Sequence, residues 1–194
     1  MRRVLLALLL VAPPVVAQQP KADTPEVREA KARVAEATDE LKRQQRLQAT
    51  GAGSADRVDV AEFQAHAAGT ALAELTRGVK AEHAAREAEV KVLARRWERA
   101  TKAGESPEGV DARLRELADG RARLARFNGD RPALVKEHAA LVEVAQRRLD
   151  RAQYLLERKI GVAAEVQNCE VALLAERERL ADAKAARLTP RNVD

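Results

Sequence analysis

From Pro25 to Ala183 the apolar residues recur at alternating steps of three and four, and nowhere do β-branched residues alternate with period two. The first pattern draws a stripe down an α-helix, and a strand needs the second. The chain is therefore expected to be all-α. Val27, Ala30, Val34, Ala37 and Leu41 make one such stripe. Val58, Ala61, Ala65, Ala68, Leu72, Leu75 and Val79 make another, and Val135, His138, Val142, Ala145, Leu149, Ala152 and Leu156 a third. Alanine and leucine supply most of this surface, and aromatic residues make up only 2% of the chain.

The plan also occurs twice. At an offset of 108 residues, Val34, Leu41, Arg43, Gln45, Leu47, Gly53, Val58, Glu62, Leu72 and Ala73 fall on Val142, Leu149, Arg151, Gln153, Leu155, Gly161, Val166, Glu170, Leu180 and Ala181. Each copy reads as helix, small-residue break, helix, which predicts two antiparallel helical hairpins. Tight reversals favour glycine because they need positive backbone torsions, so Gly51, Gly53 and Gly161 mark the tip turns.

The resulting division is a segment 1–17 read as a signal peptide, a polar leader 18–23, a first hairpin 24–103 with its tip at 50–54, and linker turns with a short helix over 104–131. A second hairpin 132–188 with its tip at 159–163 and a tail 189–194 complete it. Thr24-Pro25, Ser106-Pro107 and Asp130 with Pro132 carry helix-start signals. Within the first hairpin the stripe continues past Val79 through an added step of four to His83, then Arg86, Val90, Leu93, Trp97 and Ala100. That is a stutter in one long helix from about Ala55 to Ala103, which at 1.5 Å per residue would extend about 70 Å and make the molecule elongated. Gly69 and Gly78 are read as allowing close backbone approach or as simply tolerated inside it.

Arg2 and Arg3 followed by the apolar run Val4–Ala12, with Val15 and Ala17 at cleavage-compatible positions, form a secretory signal ending after Ala17. The run is too short to cross about 30 Å of hydrocarbon. Export is the expectation, to the periplasm or the outer membrane. Loss of that segment would lower the formal net charge from +5 to +3, spread over interleaved acids and bases rather than one block. With no aromatic stacking platform either, nucleic acid is not an expected partner.

Catalytic signals are absent from the sequence. His66, His83 and His138 have no metal-ligand spacing, and Cys169 is the lone cysteine, standing where the first copy has Ala61. Glu62 and Glu170 are equivalent carboxylates without a second acid or nucleophile beside them. The expectation is a protein that is not an enzyme and takes no cofactor or metal.

Arg43, Leu47, Ser54 and Asp59, with three, six and four residues between them, resemble the hairpin tip of periplasmic adaptor (membrane-fusion) proteins of tripartite efflux pumps. The second copy, from Leu149-Asp-Arg-Ala-Gln through Glu165-Val-Gln-Asn, looks like the periplasmic tips of TolC-type outer-membrane efflux channels. The resemblance covers the helical portion only. It implies a docking tip at Arg43, Leu47, Ser54 and Asp59, with Arg151 and Leu155 matching in the second copy, where Val162 and Gln167 replace the serine and the aspartate. It further implies action in export, by hairpin packing or tip docking, with an efflux channel or adaptor, or a second copy of the chain, as partner. A holdase-type periplasmic chaperone and a structural envelope spacer are the alternatives.

Overall fold

The computed structural model describes residues 24–189, Arg77 excepted. The leader segments 1–17 and 18–23 and residues 190–194 of the tail lie outside the described residues. Six helices follow in chain order: α1 (Pro25–Ala49), α2 (Ala55–Thr76), α3 (Val79–Lys102), α4 (Pro107–Asn128), α5 (Arg131–Glu157) and α6 (Ala163–Ala185). The chain is all-α, with no strand among the described residues.

The helix starts are those that the sequence marks. Thr24 Oγ1 accepts from the Val27 amide at 3.3 Å, Ser106 Oγ from Gly109 at 3.2 Å and Asp130 Oδ1 from Ala133 at 3.0 Å, each satisfying one amide left orphaned in a first turn. The ends close in a common way. At Gly51, Gly104 and Gly129 a left-handed residue follows the helix, with φ of 77°, 66° and 69°. The next amide reaches back to the helix: Ala52 to the Leu47 carbonyl, Glu105 to Ala100 and Asp130 to Ala125. This is the Schellman closure, which caps carbonyls that would otherwise be unpaired.

Each helix packs on the one before it and the one after it. Paired residues run in opposite senses at each contact. Asp59 meets Arg99 while Glu74 meets Arg86 between α2 and α3, and Glu116 meets Arg96 while Glu89 faces Arg123 between α3 and α4. The apolar core is distributed along these contacts. Ala145, Leu149, Ala152, Cys169 and Leu173 form one cluster between α5 and α6, and Ala122, Ala125, Leu134 and Ala183 another where α4, α5 and α6 meet.

Two expectations are corrected here. The single helix from Ala55 to Ala103 is two helices, because the Gly78 amide donates to the Ala73 carbonyl at 2.9 Å and the chain reverses at that point. Polar pairs then tie α3 back onto α2: Glu89 accepts from Thr70 at 2.6 Å and Glu62 from Arg95 at 2.6 Å. In the sequence this reversal shows only as the stutter, the added step of four from Val79 to His83. The helix expected within 104–131 is present as α4 (Pro107–Asn128), but at 22 residues it is as long as α2 and packs on both α3 and α5, with Leu117 and Ala118 each 1% exposed.

Buried acids punctuate the seams. Asp59, Glu82, Glu89, Asp111, Glu137 and Glu176 are all buried. In an alanine-rich interface the small side chains leave room for Asp59, Glu89, Asp111 and Glu176 to reach an arginine on another helix, and that pairing offsets the desolvation of the acid.

A candidate docking tip

The turn between α1 and α2 and the turn between α5 and α6 are built alike. In the first, the amides of Ala52 and Gly53 both donate to the Leu47 carbonyl at 2.9 Å, and that of Gly51 donates to Gln48 at 3.0 Å. In the second, the amides of Ile160 and Gly161 donate to the Leu155 carbonyl at 3.1 and 3.0 Å, and that of Lys159 to Leu156 at 2.9 Å. Every donor and acceptor is displaced by the same 108 residues found in the sequence repeat. Gly53 and Gly161 have one purpose in common: an added Cβ would sit 2.7 Å from the Gln48 nitrogen in one turn and 2.9 Å from the Leu156 nitrogen in the other. Backbone cannot yield to such an approach, so only glycine fits.

Side chains distinguish the turns. The first carries Arg46, Gln48, Thr50 and Ser54 around Leu47; the second carries Tyr154, Leu155, Leu156, Ile160 and Val162. Ile160 is 73% exposed and Val162 64%, so the second turn projects an apolar cluster into solvent. Arg158 lies over the Tyr154 ring at 5.0 Å, fixing one edge of the cluster by a cation–π contact. Beside it a cleft of about 670 Å³ opens between the N-terminal half of α4 and the α5–α6 turn. Leu155, Ile160 and Val162 form its apolar wall, and Arg115, Arg148 and Glu165 its polar one. The cleft continues into a recess of about 180 Å³ that reaches Cys169 and Glu176.

The residues singled out by the efflux resemblance separate into two groups. Arg43 and Leu47 line one shallow depression on the outer side of α1, and among the described residues Arg43 has an ion pair only with Glu40, at 3.7 Å within its own helix. Ser54 does not join that depression; its hydroxyl accepts from the Arg57 amide at 3.3 Å and starts α2. Asp59 is not at the tip. It is buried under α3, where Arg99 approaches its Oδ2 at 2.8 Å. Arg151 also faces inward, donating to Asp111 Oδ2 at 2.6 Å with Glu108 at 3.3 Å, whereas Leu155 is 40% exposed on the cleft wall. Tyr154, Leu156, Ile160 and Val162 had a signal in the sequence: they are the large apolar residues that flank the second glycine turn where the first has Arg46, Gln48, Ala52 and Ser54.

Charge behind the cleft is fixed. Burial raises the Asp111 carboxyl, but hydrogen bonds from Arg147 and Arg151 outweigh it and leave the group below its ordinary value. Burial holds Glu137 above its ordinary value against the pull of Arg121 and Lys136. Burial also lowers His138, with Arg126 adding to the effect. Among the described residues no group of three or more His, Cys, Asp or Glu is arranged to hold a metal, and no helix is long and apolar enough to cross a membrane. No family model, curated protein or solved structure matches this chain.

Proposed function

We propose that this chain is a non-enzymatic, exported coiled-coil protein of the cell envelope, resembling the helical part of TolC-type efflux proteins and acting in export by docking a helical tip on a partner. In this reading α1–α2 and α5–α6 are two hairpins of an elongated molecule. The observation that carries the reading is the α5–α6 turn, where Ile160 and Val162 are 73% and 64% exposed on a rigidly capped backbone. An apolar cluster held outward at the end of two helices favours contact with another protein surface, since burying each large aliphatic side chain stabilises by about 1.5–3 kcal/mol. The leader Met1–Ala17 supports export, and the Arg43/Leu47 depression on α1 supplies a second, more polar contact.

The test is recovery of partners from envelope extract with the purified protein as bait. Efflux or export components should be recovered. Ile160→Asp with Leu155→Asp should abolish that recovery while helicity measured by circular dichroism is kept, because both side chains face solvent. Recovery that survives this pair of changes and is lost instead with Leu47→Asp and Arg43→Glu would move the docking role to the first turn. Survival of both sets would end the tip-docking reading, and a compact scattering profile near the roughly 16 Å radius of gyration of a globular chain this long would end the elongated one.

A further inference from the structure

The inner side of α6 is spent on α5: Cys169, Leu173 and Glu176 are buried there, and Ala183 at its C-terminal end. On the opposite side a second stripe runs at three-four spacing through Ala164, Gln167, Val171, Leu174, Glu178 and Ala181, and all six are exposed. Val171 is 67% and Leu174 58% exposed. A helix at the end of a row of helices needs only one apolar side, and α1, at the other end, exposes no large apolar residue among those described. The α6 end is the uncovered one.

We infer that a second copy of this chain covers it, pairing its own α6 antiparallel about a two-fold axis. The stripe is symmetric about the point between Ala172 and Leu173, so an antiparallel pair sets Val171 on Leu174, Gln167 on Glu178 and Ala164 on Ala181 of the other copy. Isologous contacts demand this self-complementarity. The charges agree. Glu170 and Arg177 flank the stripe at the positions that face each other across an antiparallel seam, giving two Glu–Arg pairs per dimer. Neither takes part in an ion pair among the described residues; Arg177 only donates to Gln146 at 3.3 Å. A parallel pair would instead stack Glu178 on Glu178 inside the seam, which like-charge repulsion disfavours. The surface is separate from the apolar turn, so the two readings stand or fall independently.

Sedimentation of the purified protein over a concentration series decides it. A reversible dimer is expected, with Val171→Asp weakening it at least about tenfold at unchanged helicity, because a charge then enters the seam twice. Glu170→Arg and Arg177→Glu should each weaken self-association by about threefold or more, and an equimolar mixture of the two should restore it, since each mixed contact again pairs Arg with Glu. The mixture also decides the matter if Val171→Asp proves unfolded. A chain still monomeric near ~1 mM overturns the inference. So does a dimer indifferent to Val171→Asp, or one in which mixing the charge variants restores nothing.

Discussion

At the α1–α2 turn the Leu47 carbonyl accepts two amides and Arg46, Gln48, Ala52 and Ser54 surround it; at the α5–α6 turn the Leu155 carbonyl accepts two amides and Tyr154, Leu156, Ile160 and Val162 stand in their places. One backbone path thus serves two chemistries. What the repeat retains is what the backbone cannot do without, namely a glycine where two strands of main chain touch and a leucine one turn before it. What it varies is what a partner would read. The helices behind the turns differ in the same sense: α1 packs on α2 alone, whereas α5 is enclosed by α4 and α6.

The largest effect should come from breaking that enclosure. Leu149 is 7% exposed within the α5–α6 cluster, while its counterpart Leu41 is half-buried. Leu149→Ala should cost about 2–4 kcal/mol in urea unfolding and Leu41→Ala about half as much, because a partly solvated site leaves a smaller cavity. Equal losses would mean that the two copies are packed alike.

Next come the turns themselves. Gly53→Ala and Gly161→Ala should each cost about 2 kcal/mol, nearly the same in both copies, since in both the new Cβ meets main chain at 2.7–2.9 Å. A large difference in thermal midpoint between the two variants would show that one turn can open and the other cannot.

How much of this could be read beforehand follows from the same contrast. The turns were legible because glycine and the 108-residue repeat both mark them, and the caps at Thr24, Ser106 and Asp130 because their hydrogen bonds are local. The reversal at Gly78 was not, because the stripe continues past it with only a stutter, which one long helix also accommodates, and contacts distant in sequence, such as Glu62 with Arg95, decide between one helix and two. For α5 a single stripe captured His138, Ala145, Leu149 and Ala152 but missed Leu134, Leu141 and Val144, which are buried as well. A helix with neighbours on two sides needs two stripes, and neighbours are not written in periodicity. Asp59 and Arg151 were assigned to a docking tip because they fit the spacing of the efflux-adaptor pattern, and spacing does not report burial; both are in interhelical ion pairs.

Arg151 and Arg43, equivalent in the repeat, sharpen this point. Arg151→Ala leaves the buried Asp111 with Arg147 alone and should cost about 1 kcal/mol, discounted for the partial exposure of the arginines. Arg43→Ala should change stability by less than about 0.5 kcal/mol, its only ion pair among the described residues being an exposed one. Similar costs from denaturant titration would mean that Arg43 has an inward role too.

Lys159 stands where the first turn has Gly51, and holds φ of 59° against the preference of any residue with a Cβ. Lys159→Gly should stabilise the protein by about 0.5–1 kcal/mol, and Gly51→Lys should destabilise it by a similar amount. If Lys159→Gly is destabilising, the lysine side chain makes a compensating contact that glycine cannot replace.

The smallest effect separates the copies by pH. His138 is buried on α5 where the first copy has Ala30, also buried. Burial lowers the imidazole from 6.5, with Arg126 and Arg179 adding to the effect and Glu176 and Asp119 opposing it. A histidine lowered in the folded state binds its proton more readily when unfolded, so its contribution to stability is present above about pH 6.5 and is lost as the pH falls through the folded value. Glu137, raised by burial, works in the opposite direction, gaining stability as the pH falls through its own raised value. The net slope of the whole protein therefore says little about His138, and the comparison must be made against a variant. His138→Ala, which copies the first repeat, should lose less stability than the native chain between pH 7.5 and 5.5, as read from urea midpoints at each pH. An identical pH dependence in the two proteins would mean that the imidazole finds a partner on protonation, and Glu176, whose buried Oε2 accepts no hydrogen bond, is the group placed to be that partner.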